Sequence, residues 1–264
     1  MTGTGQMNRP TAPGILIAGA GLRFGGRQVF QNLNVQVAAA AWTAILGPSG
    51  IGKSSLLRLV AGLPAEGAAL EGSVSASDNA PLSGRIAYMA QRDLLLPWAS
   101  ILDNVLIGKR LRRERIEQAD RDRALELLDA VGLSDRATER PEALSGGMRQ
   151  RAALARTLME DRPIVVMDEP FSALDALTRF QLQETAYRLL RDRTVLLVTH
   201  DPMEALRLSG TILILHGAPP SIRTVSDLPP VTDPRDPADP DMAARIAALL
   251  AELAADSPPE QRTA

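Results

Sequence analysis

An α/β fold around a mostly parallel sheet is predicted by three features of the sequence. Short, mostly apolar strand-like runs recur as TAILG from Thr43, IVVM from Ile164, TVLLVTH from Thr194 and TILIL from Thr211. Helical patterns lie between them, and strands alternating with helices give a parallel sheet covered on both faces. The third feature is a glycine-rich loop, Gly47 to Ser54, set between the first of those runs and a helix.

Taken in order, Ile15 to Val37 alternates in short strand-like pieces such as VFQNLNVQV from Val29, with Gly25-Gly26 as a turn. TAILG from Thr43 then leads through the loop into the helical pattern SSLLRLVAGL. Leu70 to Ala76 and Arg85 to Ala90 read as two strands around a Ser/Asp/Asn/Pro/Gly turn. Residues 94–162 change texture, with helical periodicity, many arginines and few β-branched residues, and are expected to form a helical insert. Further helices are expected near Ala176 to Arg191 and Pro202 to Leu208. The main domain is therefore placed at residues 14–217. After Gly217 the chain turns Pro- and Asp-rich, and residues 218–264 are read as an extension. It carries one amphipathic helix, Met242 to Leu253, expected to cap the domain, and a polar tail.

Composition bounds the function. The 264 residues are 45% hydrophobic, enough to bury a sizeable core. A net charge of -2 gives no global attraction to nucleic acid or anionic membrane. With no cysteine, disulfides, thiolate chemistry and Cys-ligated zinc are excluded. The start, MTGTGQMNRP, lacks the pattern of a signal peptide, and no apolar run approaches membrane-spanning length. A membrane role would have to come through a partner.

The chemistry begins at Gly47, Pro48, Ser49, Gly50, Ile51, Gly52, Lys53 and Ser54, which match G-x-x-x-x-G-K-[ST] between a strand and a helix. Glycines let successive backbone N–H groups turn toward phosphate oxygens, and the helix N-terminus adds partial positive charge. Lys53 is expected to reach the β- and γ-phosphates of a nucleotide, and Ser54 to ligate Mg²⁺. Asp168 and Glu169 end a buried strand. A hard cation wants oxygen ligands, so Asp168 would hold Mg²⁺ directly or through water. Glu169 would then polarise the attacking water as general base. Read alone, the acidic pair is a strand-end turn before Pro170; beside the phosphate loop it is chemistry. Upstream, Leu144-Ser145-Gly146-Gly147 opens a second helix, with its serine 23 positions before Asp168. A hydroxyl, backbone N–H groups and a helix dipole make a second anion cradle there. One nucleotide does not need two distant cradles. A head-to-tail dimer resolves this, each copy's signature closing on the γ-phosphate held by the other.

These motifs resemble those of the ATP-binding cassette (ABC) ATPases over roughly residues 15–215. The resemblance rests on the phosphate loop, Gln91, LSGGMRQR from Leu144, MDEP from Met167, Ser172 to Asp175, and His200. It implies a P-loop NTPase with a mixed or parallel core sheet, an N-terminal antiparallel β subdomain and a helical insert. It further implies that Phe24 stacks on adenine and that Gln91 touches Mg²⁺ or the lytic water. Asp175 would organise the dimer contact, and His200 would sense the γ-phosphate and position Glu169. Several positions depart from the family pattern. Ala40-Ala41-Trp42 stands where Gly-Glu is usual, which puts the local turn in doubt. Phe24 replaces a commoner tyrosine, Met148 a glutamine, and Ser55, counted with the nucleotide site, a threonine. His216 reads as an ordinary strand-end histidine.

Such an ATPase serves transport or DNA work. No long heptads and no zinc module are present, and the basic run Lys109 to Arg123 interleaves seven positive with four negative residues, as on a solvated helix face. Nucleic acid is therefore not expected as a partner. Within transport, Gln91 followed by RDLLLPWASILDNV, with PFSALDALTR downstream, is similar to the nitrate/sulfonate/taurine importer group, which includes importers of thiamine pyrimidine precursors. FSALDALTRFQLQ and VTHDPMEALRLS lean toward that pyrimidine branch; an export or lipoprotein-release ATPase is the alternative. The group implies separate permease and extracytoplasmic solute-binding chains, and a place on the cytoplasmic face of the membrane. Leu94 to Trp98 would line the groove that accepts a permease helix, and core packing is the competing reading for the leucines.

Overall fold

In the computed structural model, residues 12–225, 228–229 and 231–255 are described. The opening segment on which the signal-peptide reading rests and the polar tail lie outside them. The chain begins β1 (Ile15–Phe24), β2 (Arg27–Val37), β3 (Trp42–Leu46), α1 (Lys53–Val60), β4 (Ala69–Ala76) and β5 (Ile86–Met89). The helices α2 (Ile101–Val105), α3 (Ile107–Leu111), α4 (Gln118–Ala130) and α5 (Gly146–Met159) follow, as expected of the helical insert. Then come β6 (Ile164–Asp168), α6 (Ala176–Leu189), β7 (Thr194–Val198), α7 (Pro202–Leu208), β8 (Thr211–His216), β9 (Ser221–Val225) and α8 (Pro240–Ala255).

Two sheets form. β2, β1 and β4 make an antiparallel sheet, and the main sheet runs β5-β6-β7-β3-β8-β9. Its first five strands are parallel and β9 is antiparallel to β8. The pieces expected between Ile15 and Val37 are one long ladder interrupted by register shifts between Ile17 and Arg23, which read as short strands because the alternation slips at each bulge. Between β2 and β3 the turn doubted from sequence does form. Ala40 takes φ 48°, a conformation glycine would adopt at less cost, and its N–H donates to Thr194 Oγ1 at 2.9 Å.

β3, β6 and β7 are buried at every residue, which explains their unbroken apolar runs. Period-two alternation sorts their side chains. Ile164, Val166, Leu196 and Val198 pack with Phe30, Leu56 and Ile45 under the antiparallel sheet, while Val165, Met167, Val195 and Leu197 pack with Leu127, Leu154 and Phe171 of the helical side.

Two expectations need correction. Leu95, expected to line a surface groove, is 8% exposed and belongs to the helical-side core; Leu94 and Trp98 are the exposed members, at 59% and 71%. Leu94 takes φ 48°, which turns its side chain out while its neighbour turns in. The expected boundary after Gly217 falls in the turn between two hydrogen-bonded strands, β8 and β9. Short strands among Pro and Asp lack a periodic signal, so β9 was not legible. α8 contributes Met242 and Leu249 to a core with Ala44, Leu46, Leu206 and Ile212, so the capping helix completes the sheet's covering. Arg235 fastens this segment, donating to the carbonyl of Ser209 at 3.0 Å and also to that of Leu206 at the end of α7.

α7 also buries charge. Gln183 Nε2 donates to Glu204 Oε2 at 3.1 Å, and Arg207, fully buried, donates to Gln183 Oε1 at 2.8 Å and to Glu184 Oε1 at 3.0 Å. Burial pushes the Glu204 carboxyl up to about 7, against the Thr199 hydroxyl, which favours ionisation, and with help from Asp201. A folded pKa above the unfolded one makes the protonated form the stabilising one. Its contribution is complete below the unfolded value of 4.5 and is lost as pH rises through about 7. Glu204→Gln is therefore expected to stabilise the protein by roughly 1–3 kcal/mol at pH 8, with the gain vanishing near pH 4.5. Thermal unfolding of both forms across that range measures it, and a pH-independent difference would refute the assignment.

Candidate functional site

Three of the buried strands end at one level. Ile45 is paired with Val198 and Asp168 with Val198, and the ladder continues one residue further, with Thr199 N–H donating to Ile45 O at 3.2 Å and Glu169 N–H to Val198 O at 2.9 Å. Gly47, Glu169 and His200 therefore leave the sheet side by side at the carboxyl ends of its strands, where ligands of open α/β sheets bind.

The phosphate loop leaves β3 at Gly47. A Cβ there would lie 2.4 Å from Leu215 O, so only glycine fits against β8. Gly52, at φ 110°, is the N-cap from which α1 starts at Lys53. Lys53 is 7% exposed, and its Nζ donates to Gly47 O at 2.7 Å and Pro48 O at 2.9 Å, folding across the loop. Burial lowers its pKa, opposed by the charges of Glu169 and Asp168. An anion in the loop would supply the partner that burial withholds.

Asp168 is buried, and its Oδ1 has no hydrogen-bond partner. Burial raises its pKa; the Ser54 hydroxyl alongside lowers it and the neighbouring Glu169 charge adds to the rise. An orphaned buried carboxylate oxygen next to a hydroxyl is the donor set of a hard cation. Among the described residues no group of three or more His, Cys, Asp or Glu could enclose a metal. A cation here would take few protein oxygens and complete its shell with phosphate and water, which fits Mg²⁺.

Glu169 has φ 49°, uncommon for a non-glycine residue. Gln91 Nε2 donates to its Oε2 at 3.2 Å, and His200 Nδ1 lies 3.3 Å from the same oxygen. His200 thus lies beside the carboxylate it was expected to position, while Gln91, expected to touch Mg²⁺ or the attacking water, here bonds the same carboxylate oxygen. A cavity of about 980 Å³ adjoins the loop, lined by Phe24, Gln28, Val29, Pro48 to Gly52 and Ser55. Phe24, half exposed, presents its ring there. The turn from Gly217 to Pro220 also lines this cavity, a contribution hidden because that stretch reads as the start of a linker.

Ser145, Gly146, Gly147 and Asp175 line none of this cavity. Ser145 caps α5, its Oγ accepting from Met148 N–H at 3.3 Å, and Asp175 caps α6, accepting from Thr178 N–H at 3.0 Å, which lowers its pKa. A Cβ on Gly147 would come within 3.2 Å of Ala173 O, so the signature and the Ser172–Asp175 turn pack as one surface. Sequence reasoning missed the ties between that surface and the first. Gln150 Nε2 donates to Glu169 O at 3.1 Å. Arg149 Nε meets Asp93 Oδ2 at 3.2 Å, and Arg156 Nη1 donates to Leu94 O at 2.8 Å, clamping the chain after Gln91 onto α5. Only Gln150 of the three is buried, and the available signal was its place at helical spacing with Ala153, Leu154 and Thr157 on the buried face of α5.

The ABC transporter family model matches residues 30–172. An uncharacterized ABC transporter ATP-binding protein of Haemophilus influenzae is 45% identical over 195 residues, 74% of this chain and 78% of its own. The aliphatic sulfonates import ATP-binding protein SsuB of Yersinia pestis is 42% identical over 248 residues, 92% of this chain and 85% of its own. An ATP-binding cassette solved as a dimer in a post-hydrolysis state bound to ADP and Pi superposes with a TM-score of 0.70 at 27% identity, covering 80% of this chain and 97% of that one.

Lys53→Ala is expected to weaken ATP binding about tenfold or more, because it removes a charged donor from the loop. Titration calorimetry with ATP decides it, and an unchanged dissociation constant would take Lys53 out of the site.

Proposed function

Because the chain belongs to the ABC transporter family of ATP-binding proteins, we propose that it is the ATP-hydrolysing subunit of an importer for a small solute. The observation that carries the reading is the convergence of Gln91 and His200 on one oxygen of Glu169, beside a phosphate loop and an orphaned Asp168 oxygen. SsuB is named for aliphatic sulfonates, which weights the solute toward that class over pyrimidine precursors. The partners are a second copy of this chain, permease subunits and, through them, a solute-binding protein. The place is the cytoplasmic face of a membrane. Among the described residues no helix is long and apolar enough to cross it.

In the mechanism, Phe24 stacks on the base and the loop amides with Lys53 hold the phosphates. Ser54 and Asp168 would hold Mg²⁺, which supplies charge neutralisation at the phosphates when bound. Glu169, oriented by Gln91 and His200, turns water for in-line attack on the γ-phosphorus and takes its proton. Ser145 and Gly147 close on the nucleotide of the partner copy, supplying donors where charge develops. Product release opens the dimer, and the helical insert carries that movement to the permease. Leu94 and Trp98 are the apolar contact on this side, because the loop that presents them follows Gln91 and is clamped to α5.

Glu169→Gln should retain ATP and accumulate as an ATP-bound dimer while turnover falls by about 10²–10⁴; wild-type hydrolysis in a phosphate-release assay would sink its role. Trp98→Asp, at an exposed position, should leave hydrolysis by the purified subunit unchanged and abolish co-purification with the permease. Intact assembly would remove the docking surface.

A further inference from the structure

The backbone of Glu169 is held in the left-handed region against its own preference, so some group must pin it. Its N–H is fixed by Val198 O at 2.9 Å. Its carbonyl accepts from Ser172, a neighbour in the same turn, through Oγ at 3.0 Å and N–H at 3.3 Å, and from Gln150 Nε2 at 3.1 Å, the one of these donors that arrives from a different element. Gln150 is 6% exposed. A buried amide that merely filled space would cost more than a methionine there, so the hydrogen bond accounts for its chemistry. With both backbone groups fixed, so is the Cα–Cβ direction from which the side chain reaches Gln91 and His200.

Gln150 sits on α5, the helix capped by Ser145. Five residues separate the two, ~7.5 Å along the axis, and a helix transmits a displacement of its N-terminus rigidly over that distance. We propose that Gln150 is the positioning residue for Glu169, and that through it α5 ties each general base to the nucleotide that the same helix grips across the dimer. The second half rests on the head-to-tail reading given above. It makes each site's base respond to occupancy of the other site with no contact beyond one helix.

The test uses the full chain. Gln150→Met keeps the side chain's length and removes the donor; Gln150→Glu keeps the shape and replaces the donor with an acceptor. Both should lower kcat about tenfold, the worth of one net hydrogen bond, with the ATP dissociation constant unchanged within about twofold. The Gln150→Glu rate, relative to the parent at each pH, should recover as pH falls from about 8 to about 6, because a protonated carboxyl can donate again; Gln150→Met should show no recovery. A parental kcat in either variant, or a flat pH ratio for Gln150→Glu, overturns the positioning role. For the link across the dimer, Ser145→Ala combined with Gln150→Met should reduce kcat by clearly less than the product of the single effects; simple multiplication overturns it. ATP-driven dimerisation of Glu169→Gln, followed by size-exclusion chromatography, tests the head-to-tail reading separately. Absence of the dimer sinks that reading, whereas a normal dimer with parental Gln150 variants sinks the positioning alone.

Discussion

The site depends on the register of three buried strands. β3, β6 and β7 are apolar at nearly every position and covered on both faces, so a slip of one residue would exchange every side chain between two different cores. That penalty fixes where each strand ends. Because Ile45, Val198 and Asp168 stand level, the phosphate loop, the acidic pair and the histidine must emerge together. The catalytic geometry is a consequence of packing that lies wholly behind it.

Electrostatics at this edge is arranged around charges not satisfied by the protein alone. Lys53 bends onto two carbonyls, and burial depresses its pKa. Asp168 keeps an oxygen without a partner, and burial raises its pKa. Opposite shifts with one cause, desolvation, are what an ionised phosphate beside Lys53 and a hard cation beside Asp168 would relieve. Glu169 differs, since its carboxylate already has two side chains on one oxygen.

α5 is the element that joins the parts. Its first turn presents Ser145 and the glycines, Gln150 holds the Glu169 carbonyl, and Arg149 and Arg156 grip Asp93 and the Leu94 carbonyl. The signature turn, Glu169 and the loop that carries the exposed Leu94 and Trp98 are thereby connected through one fourteen-residue helix. α8 plays a quieter part, closing the sheet face that β9 extends.

The strand-loop-helix at Gly47, the acidic pair, the signature and the α/β class are legible without coordinates, since each is written in contiguous residues whose spacing meets local backbone chemistry. Gln91 and His200 are legible too, though only through resemblance. Tertiary structure alone decided what depends on partners distant in the chain: that Leu95 turns inward beside an exposed Leu94, that β9 joins the sheet across the expected boundary, and that Gln150 reaches Glu169. A side chain's type states what bonds it can make. Which bond it makes is settled by the packing that brings residue 150 beside residue 169, and no periodicity records that.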